Sequence, residues 1–318
     1  MNNMQIPLFD DSKPTPPRPE WGEQILQPIP LQKDQAISPA ELTPDDATLR
    51  ITKNYEISGS LLSRFLSFFN EHGDKPIKLL HDTMSTELAT PTGRIIGLIN
   101  FSRKAELLTT ENQLTPLAKI YLAHDQYFLN PGGLWLLHYL ISSNPFSVSW
   151  SRLFNSIVYE VEEISPADMP IYFKDMQGEM SEKMFHWNGP KELGAVLRTY
   201  SDNLFKPLGM IMRIDKGQYT FIIDEFDIHP LVWLSSILAY RDRFYHGAAS
   251  LETHLLVDAH FSPGRLFRQK EEVVRQALEK LHTQGLITVE TRLGLDQVRF
   301  KREITWISAI VQYFEEGK

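Results

Sequence analysis

Tyr127-Phe128-Leu129-Asn130-Pro131-Gly132-Gly133-Leu134-Trp135-Leu136-Leu137-His138-Tyr139-Leu140-Ile141 is the stretch on which the fold turns. Pro131 suits the first turn of a helix, where no N–H partner is required. From Leu134 to Ile141 almost no polar face is left, so the helix must be buried on most sides. Asn144-Pro145 breaks the run, and a second apolar helix is expected through Phe146, Val148, Trp150, Leu153, Phe154 and Ile157. These two helices form the centre of an all-helical core, with smaller modules on either side.

The chain has 318 residues, 42% of them hydrophobic, enough for two or three modules with substantial cores. No apolar run approaches the ~20 residues that span a bilayer, and the first residues lack the basic-then-apolar order of a signal peptide. Cysteine is absent, which removes disulfides, thiol nucleophiles and cysteine-bound zinc and fits a cytoplasmic protein. Net charge is −8, but residues 1–47 carry eight acidic and only three basic side chains. The rest of the chain is close to balance, and local basic faces can exist on it.

Residues 1–47 hold nine of the twenty prolines and no sustained periodicity, which reads as a flexible arm. At its tip, Gln5-Ile6-Pro7-Leu8-Phe9 has the spacing of short peptides that dock on the bacterial DNA sliding clamp, with Gln5, Leu8 and Phe9 as the anchors. The clamp is therefore an expected partner.

The first folded module is expected over 48–125, as a winged helix-turn-helix. Ser58 or Ser60 caps a helix carrying Leu61, Leu62, Phe65, Leu66 and Phe69, and a second helix follows around Pro76 to Leu80. Thr90-Pro91 opens a third. In it Ile95, Ile96, Leu98 and Ile99 form an apolar stripe, with Arg94, Gly97, Asn100 and Lys104 opposite. Leu107–Thr110 and Gln113–Thr115 read as a wing-like segment before a fourth helix with Leu117, Ile120 and Tyr121. The expected DNA contacts are Arg94, Arg103 and Lys104 on phosphates and Asn100 on a base edge.

Residues 126–245 are expected to form the helical core with one β-hairpin. Met176, Met180 and Met184 recur every four residues, a core pattern. A helix from Pro190 to about Phe205 precedes a hairpin, 209–214 against 218–223, turned at Asp215-Lys216-Gly217. Asp224, Glu225, Asp227 and His229 are the densest acidic cluster with a histidine, a donor set suited to a divalent metal. Asp227 is equally placed to cap the helix that starts at Pro230, and on that reading no metal site exists.

Residues 246–318 read as a C-terminal winged-helix-like module. Leu251–Leu256 is a short helical run, Ser262-Pro263-Gly264-Arg265-Leu266-Phe267 is a turn, and a helix spans 269–283 to a stop at Gly285. Residues 286–291 pair with 297–300 as a wing. Nine basic and six acidic residues lie between Ser262 and Glu303. Glu271, Glu272 and Glu279 would repel phosphates, so contact through Arg265, Arg268, Arg292 and Arg299 is expected rather than deep groove insertion.

Leu114-Thr115-Pro116-Leu117, Leu134-Trp135-Leu136-Leu137-His138, Leu197-Arg198-Thr199-Tyr200 and Ser262–Phe267 together resemble an uncharacterised bacterial and archaeal family. Its genes commonly lie beside those for DNA phosphorothioate (Dnd) modification and phosphoadenosine-phosphosulfate-reductase-like proteins. The resemblance covers about residues 58–302. It implies an accessory role in DNA modification or antiviral defence and supplies no catalytic residue. The chain departs from the family at its start, where Ile57-Ser58-Gly59-Ser60 stands in place of a Gly-His and aromatic motif.

The expectation is a mainly α protein with small β-hairpins. It is read as a non-enzymatic adaptor for double-stranded DNA and the protein subunits of a modification or defence complex, with no cofactor and no membrane association. Two other readings use the same residues: a repressor of its own gene cluster through the winged modules, and a metal-dependent nuclease through Asp224, Glu225, Asp227 and His229.

Overall fold

Residues 49–72, 83–178, 181–292 and 295–316 are described by the computed structural model. The sliding-clamp-like residues Gln5, Leu8 and Phe9 and the helix expected around 76–80 lie outside them. Helix α1 (Gly59–His72) has Ser58 Oγ facing the Leu61 amide, and it buries Leu62, Phe65, Leu66 and Phe69 as its sequence periodicity requires. Pro91 precedes α2 (Thr92–Lys104), and Thr115 caps α3 (Pro116–His124) by accepting the Ala118 amide at 3.2 Å. Between α2 and α3, the wing-like segment is a single antiparallel contact of Leu108 with Leu114. Bonds from the Thr109 amide to the Gln113 carbonyl and from the Thr115 amide to the Leu107 carbonyl close it.

The central stretch becomes α4 (Pro131–Ser142). Asn130 Oδ1 accepts the Gly132 and Gly133 amides at 3.0 and 3.3 Å, and every residue from Gly132 to Ser142 is buried. Each large apolar side chain sealed there contributes about 2 kcal/mol. The following helix starts at Val148 rather than Phe146, because Asn144 Oδ1 accepts the Phe146 amide and holds that residue in a turn. It runs as α5 (Val148–Arg152), widens into a π-helical turn at Leu153–Ile157 and ends at Val158–Glu160.

Helix α6 (Gly189–Ser201) packs its Tyr200 against α4. The hairpin is β2 (Ile211–Asp215) with β3 (Gln218–Phe221), turned at Gly217, whose φ of 76° suits glycine. Unexpected from sequence is β1 (Glu163–Ile164), which adds to give the antiparallel order β1-β3-β2. Of the methionine row, Met176 packs on the core, Met184 is half-buried and Met180 lies outside the described residues, with Phe185 the buried residue of the turn Met184–Asn188.

Helix α7 (Pro230–Tyr245) is capped by His229, whose Nδ1 accepts the Leu231 amide at 3.2 Å, and not by Asp227 as its sequence position suggested. The residue directly before Pro230 has the shorter reach to the first turn. Residues 251–256 divide between β4 (Ser250–Glu252) and α8 (Thr253–Val257) rather than forming one helix, because Val298 of a later strand pairs with Leu251 in a sheet. Then come α9 (Pro263–Leu266), α10 (Glu271–Thr283), β5 (Ile287–Glu290), β6 (Gln297–Phe300) and α11 (Trp306–Glu316). The second sheet has the antiparallel order β4-β6-β5. Helix α11 lies along α7 and reaches α3, where Phe314 meets Tyr121 edge-on.

The protein is thus predominantly helical with two small antiparallel sheets. Residues from 48–125, 126–245 and 246–318 contribute to one hydrophobic cluster. At its middle, His138 joins three elements: Nε2 faces the Leu266 carbonyl at 3.0 Å and Nδ1 faces the Tyr200 hydroxyl at 2.6 Å. A carbonyl can only accept, so Nε2 carries the proton and Nδ1 receives the one from Tyr200. Burial holds the imidazole down to about 4. Among the described residues no helix is long and apolar enough to cross a membrane.

Candidate functional site

The strongest local organisation surrounds residues 50–56. Lys53 and Asn54 both have positive φ, 56° and 71°, a left-handed pair that costs a non-glycine chain of about 1 kcal/mol or more per residue. The buried Glu192 of α6 holds it in place. Its Oε1 accepts the Thr52 amide and hydroxyl at 2.6 and 2.9 Å, and its Oε2 accepts the Asn54 amide at 2.8 Å. Burial raises the Glu192 pKa against these bonds.

Helix α2 supplies the other side. A Cβ on Gly97 would lie 2.3 Å from the Thr52 carbonyl oxygen, so only glycine lets the segment lie on the helix. The face expected to enter a DNA groove is therefore covered by the protein's own chain. Asn100 Nδ2 donates to the Ile51 carbonyl at 3.2 Å, and Arg94 Nη2 donates to Glu56 at 3.2 Å. Arg198 reaches the same carboxylate at 3.3 Å. Burial opposes the Glu56 charge, but its backbone bond and the two guanidiniums prevail and its pKa falls. Arg103 Nε donates to Asn112 at 3.0 Å, while the Lys104 ammonium sits 5.3 Å from the Phe146 ring. Arg94 and Asn100 thus meet at segment 50–56, and Arg103 and Lys104 serve other contacts.

What remains open beside that segment is a surface concavity of about 550 Å³ lined by Arg50, Lys53, Asn54, Tyr55, Gly93 and Ile96. Sequence reading missed it. Its only signal was Lys53-Asn54, since asparagine tolerates left-handed backbone; the anchoring Glu192 lies 140 positions from Thr52.

In the C-terminal part, Arg265 and Arg268 are turned inward. Arg265 donates through Nε and Nη2 to the Asn155 carbonyl at 2.8 and 2.7 Å, and through Nη1 to Asp258. Arg268 donates to the Ile222 and Val158 carbonyls, and burial lowers its pKa. Both guanidiniums stand over the Tyr159 ring, at 4.6 and 5.9 Å. Burial pushes the Tyr159 phenol up to about 12. Arg299 pairs with Glu290 at 2.7 Å on neighbouring strands but stays more than half exposed. Arg292 lies in the β5–β6 connection, and Lys301 and Arg302 follow β6, so these cations gather at one sheet.

The acidic cluster does not converge. Asp224 accepts the Glu225 amide, Glu225 pairs with Lys270 at 3.3 Å, and His229 is committed to the α7 cap with Tyr313 5.0 Å from its ring. Among the described residues no three aspartate, glutamate or histidine side chains gather to hold a metal ion.

Two solved structures share the fold. A magnesium-ion-bound SspB crystal structure has a TM-score of 0.69 and 17% identity, over 84% of this chain and 87% of that one. A second SspB crystal structure has a TM-score of 0.66 and 16% identity, over 84% and 86%. At these identities the likeness concerns the fold alone. Comparison with curated protein sequences finds no match. A family model described as "Protein of unknown function (DUF4007)" matches residues 94–313, more than half of the chain, and the chain belongs to that family.

Proposed function

We propose that this protein is a DNA-associated adaptor of a DNA-modification or phage-defence system, with the C-terminal module read over 246–318, together with α7, acting as a winged helix. The observation that carries the reading is the element order α7, β4, α8, α9, α10, β5, β6 with the antiparallel sheet order β4-β6-β5. This order supports the reading, since in a winged helix-turn-helix domain a first strand pairs with the far strand of the wing hairpin. On α10, Glu271, Glu272 and Glu279 oppose a phosphate backbone, and Arg275 is held by Glu271 and Asp296. Contact then falls to the wing cations Arg292, Arg299, Lys301 and Arg302, which can engage phosphates without base recognition. The setting comes from the resemblance to a family encoded beside phosphorothioation genes. Protein subunits of that system and, through Gln5, Leu8 and Phe9, the sliding clamp are the proposed partners.

The test is binding of the full chain to a labelled duplex over a salt series, beside an Arg292→Ala, Lys301→Ala, Arg302→Ala variant. Affinity should fall as salt rises, and the variant's log–log slope should be shallower by about 0.9 for each lost phosphate contact. Absence of binding at low salt would overturn the reading. Strong preference for the protein's own upstream DNA would favour the repressor. Because one similar SspB structure holds magnesium, the assay should include that cation; duplex nicking lost on Asp224→Ala, Asp227→Ala would favour the nuclease.

A further inference from the structure

We propose that the concavity between residues 50–55 and the start of α2 is a binding site for a nucleoside 5′-phosphate, as a free nucleotide or as the terminus of a strand. It is separate from the wing and does not depend on the wing touching DNA. Three features carry the assignment. The first is size: about 550 Å³ lies within the range of small-molecule sites.

The second is charge. Arg50 uses Nε on Asn54 Oδ1 at 3.2 Å, which leaves its terminal guanidinium nitrogens available. Lys53 makes no ion pair among the described residues. Of the nearby carboxylates, only Glu192 acts on these cations, through its charge interaction with Arg50, and Lys53 has no such partner among the described residues. Glu56 is shared by Arg94 and Arg198, and Glu192 is buried under three hydrogen bonds from the segment itself. Two half-exposed cations beside acids already engaged by other partners favour an anion with several acceptor oxygens.

The third is the wall. Tyr55 lines the wall: the Arg94 guanidinium stands 5.8 Å from its ring centroid, and a Cβ on Gly93 would touch the ring edge at an ordinary 3.5 Å, so glycine leaves that edge uncovered. An aromatic face beside two cations suits a base next to its phosphate, and such stacking contributes about 1–3 kcal/mol per base. A phosphopeptide would use the cations but leave the ring idle. Glu192, Asn100 and the Gly97 contact fix the segment, so the site is preformed rather than assembled on binding.

Calorimetric titration of the full chain would use a thymidine dinucleotide carrying a 5′-phosphate. The same dinucleotide without that phosphate, inorganic phosphate, thymidine monophosphate and a phosphoserine peptide form the comparison arms. The phosphorylated dinucleotide should bind, and at least tenfold more weakly when the 5′-phosphate is absent. An Arg50→Gln, Lys53→Asn variant should weaken it at least tenfold, asparagine being chosen because it accepts positive φ. Gly93→Leu leaves every charge in place, raises helix propensity and fills the space before Tyr55, so it should also weaken binding tenfold while the wing variant does not. Equal affinity for thymidine monophosphate identifies a free nucleotide, and preference for the dinucleotide identifies a strand end. Equal affinity for inorganic phosphate or the phosphopeptide, unchanged binding in Gly93→Leu, or no binding would each overturn the assignment.

Discussion

Glu192 fixes a segment that local sequence preference would not hold. Its carboxylate satisfies two backbone amides and one hydroxyl while Lys53 and Asn54 stay left-handed. Glu192→Ala should cost about 2–4 kcal/mol, because it leaves those donors unpaired in a closed site. Lys53→Gly relieves backbone strain but gains freedom in the unfolded chain, so it should move stability by no more than about 0.5 kcal/mol. Denaturant melts of the two variants separate the anchor from the residue it anchors, and equal losses would contradict this division. At Gly97 the argument is steric. Gly97→Ala gains helix propensity yet puts a methyl into the Thr52 carbonyl, and a stability loss above about 1 kcal/mol is expected in the same melts.

At the scale of elements, α11 secures the start of α4. Tyr313 donates to Asn130 Oδ1 at 2.6 Å and accepts the Gly132 amide at 3.2 Å, so it supports the residue that caps α4. Tyr313→Phe should cost about 1–2 kcal/mol by thermal or chemical denaturation, and no change would mean that Asn130 caps unaided. The legible elements share a strong local pattern. Pro131 and the unbroken apolar run announced α4, Gly217 announced the β2–β3 hairpin, and Gly285 the end of α10. The misread ones depend on distant partners. The polar face of α2 looked free because the segment covering it, anchored from α6, leaves no trace in the helix's own periodicity. Two-residue β1 exists only because β3 accepts it, and β4 was taken for helix because its pairing strand lies 47 positions on, Leu251 with Val298. Among the candidate site residues, charge could be counted but not its internal use, so Arg265 and Arg268 read as surface groups although Asn155, Val158 and Ile222 carbonyls hold them.

For the whole molecule, the buried histidines set the response to acid. Burial depresses His138 and His260 from 6.5 to about 4. A depressed folded pKa means that the unfolded chain binds the proton first. The stabilisation is complete above pH 6.5 and is lost as pH falls toward 4. For fully buried His138 the span corresponds to about 3 kcal/mol. Denaturant midpoints should therefore be level near pH 7.5 and fall between about pH 6.5 and 4, and His138→Gln should flatten that decline. A midpoint independent of pH across that window would show that neither imidazole is held neutral.

The Asn155 carbonyl, at the π-helical turn of the central hairpin, also bears on how the chain is made. Its guanidinium partner lies 110 positions later. Synthesis delivers the α4–α5 pair first, and that turn meets water until Arg265 emerges. The middle of the molecule is thus completed only once residue 265 has been made, and a nascent chain halted before it lacks the group that covers the turn. Arrival of residue 265, rather than emergence of the central helices, is the step that closes this centre.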